Sequence, residues 1–195
     1  MPRLTDAALD QLFREARTRN GWDPSPLPDG ALEEIYELAR LGPTAANSTP
    51  ARFWFCVSAA SKEKLAALAS GANREKIKQS PATVIIAYDM DFPKHMGKLF
   101  PHVPGIGDGM TDEAANEVMA LRNGSLQGAY FMLAARALGF DCGPMSGFNN
   151  AKVDAAFFEG TRIKSNFICS IGRGTEHNLF PRLPRHDFDD ACKIL

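Results

Sequence analysis

The stretch Gly42-Pro43-Thr44-Ala45-Ala46-Asn47-Ser48-Thr49-Pro50 is small and polar, with no large side chain, no charge and two prolines. Proline fixes φ, and small residues let another molecule approach the backbone closely. Two interpretations stand side by side: a plain turn between two elements, or a backbone surface against which a ligand lies. The rest of the chain has to decide between them.

The segments on either side of this 42–50 loop predict a helix and a strand. Apolar residues recur at helical spacing after Asp29, and Gly42-Pro43 is a typical helix end. The apolar positions of this helix are Leu32, Ile35, Tyr36 and Ala39. Residues 52–57, 83–88 and 165–171 are apolar runs that predict largely buried strands.

Other patterns predict further helices. Thr5 is a candidate cap for a first helix, which we expect to run towards Gly21, and Asn150 is a candidate cap for a short one. The apolar positions of the first helix are Leu9, Leu12, Phe13 and Ala16. A short helical stretch is expected at 61–70, a short strand and tight turn at 139–148, and an irregular tail after residue 178.

One long helix stands out because it combines an apolar face with small residues. Its apolar face is Leu126, Tyr130, Leu133, Ala134, Ala137 and Leu138. We expect it to be central and a candidate dimer interface, since small residues permit close packing. Residues 89–112 before it are rich in Pro and Gly, which predicts an irregular lid or substrate loop.

Composition excludes several classes of function. A length of 195 residues fits a single domain, 1–195, and a net charge of -1 argues against nucleic-acid binding. No apolar run approaches the ~18 residues of a membrane span, and no signal-peptide pattern begins the chain, so we expect a cytoplasmic protein. Four scattered cysteines predict free thiols, and the histidine spacing predicts no metal site.

Nucleotide and nucleophile motifs are weak. Gly105-Ile106-Gly107-Asp108-Gly109 and Gly172-Arg173-Gly174 lack the flanking elements and third glycine of a dinucleotide fingerprint. No GxSxG elbow or Cys–His pattern indicates a nucleophile. The sequence therefore favours neither a Rossmann enzyme nor a hydrolase.

Basic and polar residues near turns indicate a different chemistry. Arg17, Lys76 and the tail arginines lie beside Thr18 and Asn73, and arginine with hydroxyl and N–H groups suits a phosphate monoester. The small residues of the 144–147 turn suit the edge of a flat heterocycle. Taken singly, each is more typical of a surface charge or a plain turn.

Together these segments resemble the FMN-dependent nitroreductase family, and within it most the malonic semialdehyde reductase branch. The similarity runs from about Leu9 to the C-terminus. It is carried by Ala16-Arg17-Thr18-Arg19-Asn20-Gly21-Trp22, residues 42–52, residues 143–148 and Arg182-Leu183-Pro184-Arg185. The resemblance implies an α+β fold of three layers, with a mostly antiparallel central sheet between helices, and an intertwined homodimer.

The resemblance also implies a set of FMN-binding residues. Contacts to the phosphate and ribityl chain are implied for Arg17, Thr18, Arg182 and Arg185. Contacts to the flavin ring are implied for Asn20, Asn73, Lys76, Pro144 and Met145, and for the backbone N–H groups of Ser146 and Gly147. The FMN of the other subunit would meet Pro43, Thr44, Ala45 and Asn47.

The activity implied by the resemblance is ping-pong hydride transfer through FMN, with NADH or NADPH as donor. The implied reaction is reduction of malonic semialdehyde to 3-hydroxypropionate in pyrimidine degradation, and the alternative is a general nitro- or quinone reductase. Many relatives carry Lys or Arg where this chain has Asn20, Glu in place of Ser146, and an aromatic in place of Ala51. No catalytic side chain is implied, and Arg52 is a candidate partner for a substrate carboxylate.

Overall fold

The computed structural model describes residues 2–195. A four-stranded sheet is its centre, formed by β1 (Ala51–Cys56), β2 (Ala82–Asp89), β3 (Asp141–Met145) and β4 (Ile163–Gly172). The α-helices are α1 (Asp6–Leu9), α2 (Ala31–Ala39), α3 (Ala59–Ala66), α4 (Asn73–Gln79), α5 (Met96–Leu99), α6 (Glu113–Ala137), α7 (Asn150–Phe157) and α8 (Phe188–Ala191). Among these residues, none of the helices has the length and apolarity needed to cross a membrane.

The sheet has the order β1-β2-β4-β3, and all of its neighbouring strands are antiparallel. Every residue of β2 is buried, which explains its continuous apolar sequence rather than an alternating one. The expected strand 52–57 is confirmed within one residue at each end by β1. The expected strands 83–88 and 165–171 are confirmed, and each lies within a longer observed strand, β2 and β4.

Helices cover both faces of the sheet, so the protein has three layers. Val84 and Ile86 face α2 and α6, whereas Ile85 and Ala87 face α3, α4 and α7. This assignment follows from the two-residue period of a strand. Cys56, Cys142 and Cys169 are buried free thiols, and the hydrogen bond with Cys142 together with burial raises the pKa of Cys169.

The first two helices differ from their sequence patterns. Thr5 does cap α1, but the helix widens into a π-helical turn over Asp10–Arg14 and ends well before Gly21. Phe13 on its expected apolar face is 54% exposed. α2 begins at Ala31 rather than Asp29, because Gly30 adopts φ 78°, a left-handed conformation that favours glycine.

The buried face of α6 is also different from the expected one. It is made largely of small and polar residues: Asn116, Ala120, Asn123, Gly124, Gln127, Gly128, Phe131, Ala134 and Ala135. Gly128 is needed there, since a Cβ would lie 2.7 Å from the Phe167 ring. Leu126 and Tyr130 are 47% and 40% exposed. With Ala129 and Leu133 they form the outer face of α6. None of these four residues belongs to the two apolar clusters that pack on the sheet.

Residues 89–112 are more ordered than expected. A 3-10 turn at Phe92–His95 leads directly into α5, and Phe92 and Met96 are fully buried beside Tyr88 and Ala120. These two apolar anchors fix the segment to the sheet and α6, in spite of its many prolines and glycines.

Candidate functional site

Residues 17–19 lie along the outer edge of β3, and residues 21–23 pair with residues 173–175 directly after β4. Thr18 forms a parallel bridge with Cys142, and the Arg19 N–H donates to the Cys142 carbonyl at 3.1 Å. Trp22 packs over Gly143, where a Cβ would lie 2.9 Å from its indole ring. An extended segment with alternating side chains is thereby fixed to the sheet, which sets the positions of Arg17, Thr18 and Asn20.

Arg19 anchors this segment from its other side. Its guanidinium bonds Asp141 at 3.2 Å and Glu176 at 2.8 Å, and its side chain is 16% exposed. Partial burial lowers the pKa of Arg19, but Glu176 and Asp141 outweigh that effect and raise it overall. Arg19 therefore stays ionised and holds the start of β3 and the chain after β4 together.

Four arginines line one cavity of about 540 Å³, which we name the arginine cavity. Its basic residues are Arg17, Arg136, Arg182 and Arg185, and Thr18 and Asn20 also line it. No Asp or Glu is among its lining residues, and none of the four arginines forms an ion pair within residues 2–195. The structure thus brings Arg17, Thr18, Asn20 and both tail arginines together.

The arginines are partly engaged with backbone carbonyls. Arg17 donates to the Phe180 carbonyl, and Arg182 donates to the carbonyls of Arg14 and Ala16. Asn20 Nδ2 donates to the Asn178 carbonyl at 2.7 Å. These bonds hold the C-terminal tail (residues 178–195) against residues 14–20, and they place Arg182 at the π-helical turn.

A second cavity of about 520 Å³ adjoins the first, and we name it the lysine cavity. It is lined by Asn20, Ala72, Glu75, Lys76, Gln79, His177, Asn178 and Phe180. Asn20 and Phe180 line both cavities, so the two form one elongated basic site. Lys76 is the cation of its second half, carried by α4.

The 144–147 turn is fixed by Ser70, which precedes α4, and by Asn73 at the start of α4. Three donors reach the Gly147 carbonyl: the Ser70 N–H at 2.9 Å, Ser70 Oγ at 2.8 Å and Asn73 Nδ2 at 3.2 Å. The N–H groups of Ser146 and Gly147 donate no hydrogen bond within the described chain. Two backbone donors are therefore presented beside Asn73.

One expected site residue of this turn, Met145, has its side chain in the core. Met145 is 7% exposed and packs in the core with residues of α3, α4 and α7. Its side chain is therefore committed to the core, and only its backbone remains for a ring. Pro144 is half-buried and leaves part of its surface free.

The 42–50 loop lies elsewhere, against the middle of α6. Asn123 Oδ1 accepts from the Ala45 N–H at 2.8 Å, and Asn47 Nδ2 donates to the Leu99 carbonyl at 2.8 Å. Asn123 and Arg136 are 13 positions apart on one helix, or roughly 20 Å at 1.5 Å per residue. Pro43, Ala45 and Asn47 are exposed, and Thr44 is half-buried. Within one chain, this loop and the arginine cavity do not come together.

The loop is held in an unusual conformation. Ala46, Asn47 and Thr49 have φ of 49°, 50° and 37°, where side chains are disfavoured. Each residue held in such a conformation lowers the free energy of unfolding by about 1–3 kcal/mol, and residues of this kind cluster at functional sites. Gly42 is needed for packing as well, since a Cβ there would lie 2.5 Å from the Tyr130 ring.

Arg52 does not stand free for a substrate. Its Nη2 pairs with Asp89 at 2.7 Å, and its Nη1 donates to the Ala51 carbonyl at 2.9 Å. Asp89 therefore already neutralises the charge that a substrate carboxylate would use. Sequence reasoning missed Arg136 and His177, which line the site; the first looked like an ordinary helix-ending arginine and the second like a lone histidine.

The model of the Nitroreductase family matches residues 13–173. The chain belongs to the nitroreductase family. This nitroreductase-family chain is 63% identical over 195 residues to a Caulobacter vibrioides protein named "Putative NADH dehydrogenase/NAD(P)H nitroreductase", covering 100% of both. A protein of the same name from Stenotrophomonas maltophilia is 54% identical over 191 residues, covering 98% of this chain and 97% of its own.

Solved structures share the fold. A Bacillus subtilis protein described as a "putative nitroreductase" has a TM-score of 0.87 at 21% identity, covering 98% of this chain and 100% of its own. An Exiguobacterium sibiricum protein, solved in complex with FMN, has a TM-score of 0.85 at 22% identity, covering 100% and 99%. The expected nitroreductase-like α+β fold is thereby confirmed.

Proposed function

We propose that this protein is an FMN-dependent NAD(P)H oxidoreductase. The observation that carries the proposal is the elongated basic site, in which the arginine cavity, Lys76 and the free N–H groups of the 144–147 turn follow one another. The names of the relatives and the FMN-bound neighbour support the same reading.

The arginine cavity fits the phosphate of FMN. Guanidinium groups bind phosphate through bidentate, charge-assisted hydrogen bonds, and four of them face a space without carboxylates. We assign Arg17, Thr18, Arg136, Arg182 and Arg185 to this end. Arg182 also bonds the carbonyls of Arg14 and Ala16, so it positions the segment that carries Arg17.

The other end fits the flavin ring. The unbonded N–H groups of Ser146 and Gly147 suit N5 and the C4 carbonyl, and Asn73 and Lys76 suit the pyrimidine edge. When bound, FMN accepts a hydride from NADH or NADPH and passes it to a second substrate. The residues of this chain orient the ring and balance its charge.

We propose a homodimer in which the 42–50 loop reaches the FMN of the other subunit through Pro43, Thr44, Ala45 and Asn47. Support comes from the exposed outer face of α6 and from the apolar side chains of the tail, Phe180, Leu183, Phe188 and Ile194, which are 60–85% exposed. Large exposed apolar surfaces mark interaction sites. A single-domain organisation over 1–195 and a cytoplasmic location stay predictions.

For the electron acceptor we propose a small aldehyde, malonic semialdehyde, in pyrimidine degradation, on the basis of the sequence resemblance. The alternative is a general nitro- or quinone reductase. It is favoured by the names of the relatives and by the pairing of Arg52 with Asp89, which removes the one candidate for a substrate carboxylate.

Experiments on the purified protein test both the proposed cofactor and the proposed electron acceptor. We expect it to bind FMN with a flavin absorbance spectrum, and to be reduced by NADH or NADPH in anaerobic stopped-flow mixing. Reoxidation is then measured with malonic semialdehyde, a nitrofuran and a quinone. Failure to take up FMN would overturn the cofactor assignment, whereas reoxidation by the nitrofuran and quinone alone would leave the cofactor and remove the aldehyde.

A further inference from the structure

His177 and Lys76 enter the lysine cavity from different elements. Lys76 is on α4, and His177 follows β4, directly before the tail. Asn20 lies in the same cavity and is neutral. The cavity therefore contains the cation Lys76, the carboxylate Glu75 and the imidazole of His177.

The local backbone is built to hold His177 in this place. The Thr175 N–H donates to the Gly21 carbonyl at 3.0 Å, and the His177 N–H donates to Thr175 Oγ1 at 3.4 Å. A Cβ on Gly21 would lie 2.7 Å from the Cβ of His177 and 2.6 Å from Thr175 Oγ1. Only glycine at position 21 allows the chain to cross so closely.

The imidazole has one neighbour that fixes its orientation. Asn178 Nδ2 donates to His177 Nε2 at 2.8 Å, which leaves the N–H of the ring at Nδ1 as the available donor. The backbone carbonyl of Asn178 accepts from Asn20 Nδ2 at 2.7 Å. The charged groups around it are Lys76 and Glu75 on α4, and the ion pair of Arg19 with Glu176 on either side of the crossing. Glu176 is thereby already matched by Arg19 at 2.8 Å.

We propose that His177 is a second hydrogen-bond donor, with Lys76, to the N1–C2 carbonyl edge of bound FMN, and that it binds the reduced cofactor more tightly than the oxidised one. This inference rests on the proposed function. It assigns to this chain a titratable donor in the place where Asn20 supplies no charge.

The reason is electrostatic. In the half-reaction a hydride leaves the nicotinamide as its C–H bond breaks and bonds to N5, so the nicotinamide is oxidised, FMN is reduced, and one negative charge collects at the N1–C2 edge. A donor aimed at the site where charge develops stabilises the charged state more than the neutral one. Protonation of Nε2, with the Asn178 amide turning its oxygen towards the ring, adds a positive charge beside this edge, which makes the preference for reduced FMN greater at low pH.

The midpoint potential of the FMN-loaded protein tests this, measured between about pH 6 and pH 8 by dye equilibration. At the low end of this pH range, we expect the ratio of reduced to oxidised FMN affinity to be about tenfold lower in His177→Gln than in the wild type. This corresponds to a midpoint potential about 30 mV lower for a two-electron couple. The difference from wild type should shrink towards the high end. Oxidised FMN affinity should change little, because the charge is absent in that state.

Two further variants make the result decisive. His186→Gln removes a tail histidine outside both cavities and should leave the potential unchanged at every pH. Lys76→Gln should lower the potential across the whole range, since lysine stays charged. Equal potentials for His177→Gln and wild type at all pH values would overturn the assignment of His177. A protein without FMN absorbance would instead overturn the proposed function, before any potential is measured.

Discussion

The arginine cavity and the 42–50 loop are both expected cofactor-binding regions, but they differ in how complete they are. The cavity is assembled within one chain by residues 17–20, the last turn of α6 and the tail. The loop packs on α6 from Tyr130 to Asn123, and Asn123, which binds its Ala45, lies roughly 20 Å along the helix from Arg136 of the cavity. In the proposed homodimer, the cavity is the intramolecular half of the site, and the loop is the half that would meet the FMN of the other subunit.

Preventing dimerisation should have the largest effect on FMN affinity, because it would separate the loop from the cofactor of the other subunit. Leu126→Glu places a charge on the exposed outer face of α6, and burying an unpaired charge in an interface costs several kcal/mol. We expect a folded monomer in size-exclusion chromatography and at least about a 100-fold loss of FMN affinity.

Val57→Glu is the matched control, because Val57 is 53% exposed and lies outside both cavities. It should keep the oligomeric state and the FMN affinity of the wild type. A monomeric Leu126→Glu that retained FMN with wild-type affinity would refute the shared site.

The intramolecular half is tested by Arg17→Ala. Loss of one charge-assisted hydrogen bond to phosphate costs about 1.5–3 kcal/mol, so FMN affinity should fall roughly 10- to 100-fold. Riboflavin lacks the phosphate, and its affinity should stay the same. Fluorescence titration with both ligands measures the difference, with Lys152→Ala on the exposed surface of α7 as control. Equal losses for FMN and riboflavin would remove Arg17 from the phosphate end.

The smallest expected effect comes from the loop itself. In Gly42→Ala the new Cβ would lie 2.5 Å from the Tyr130 ring, so the ring or the loop must shift, at about 1–3 kcal/mol for overpacking. We expect roughly a fivefold loss of affinity for FMN and riboflavin alike, because the phosphate end is untouched. Gly97→Ala, with no atom within 4 Å of its Cβ, is the control and should leave binding unchanged. A loss confined to FMN would contradict the separation of the two regions.

The strands were the most predictable part of the fold. β2 is a nearly continuous apolar run because helices cover both faces of the sheet, and such a run is recognisable without knowing its partners. β4 has a shorter apolar stretch, Phe167 to Cys169, in its buried second half. The buried face of α6 was not predictable, since small and polar residues around Phe131 face the sheet, whereas the large apolar residues Leu126 and Tyr130 face outwards. Periodicity finds an apolar face but does not say which neighbour will cover it.

The candidate site divides in a similar way. The residue types for phosphate and heterocycle binding, in Arg17, Thr18, Lys76 and the 144–147 turn, could be recognised from sequence together with a family resemblance. Arg136 and His177 could not, because neither belongs to a local motif and each reaches the site from an element distant in sequence.

The sequence by itself determined the strands, the small and uncharged loop at 42–50, and the supply of basic and hydrogen-bonding side chains. These depend on local chemistry, which each residue carries with it. Only the tertiary structure decided that four arginines share one cavity, that Met145 belongs to the core, that Asp89 neutralises Arg52, and that the loop lies apart from the cavity. Each of these depends on distances between segments far apart in the chain, which are set by the packing of helices on the sheet.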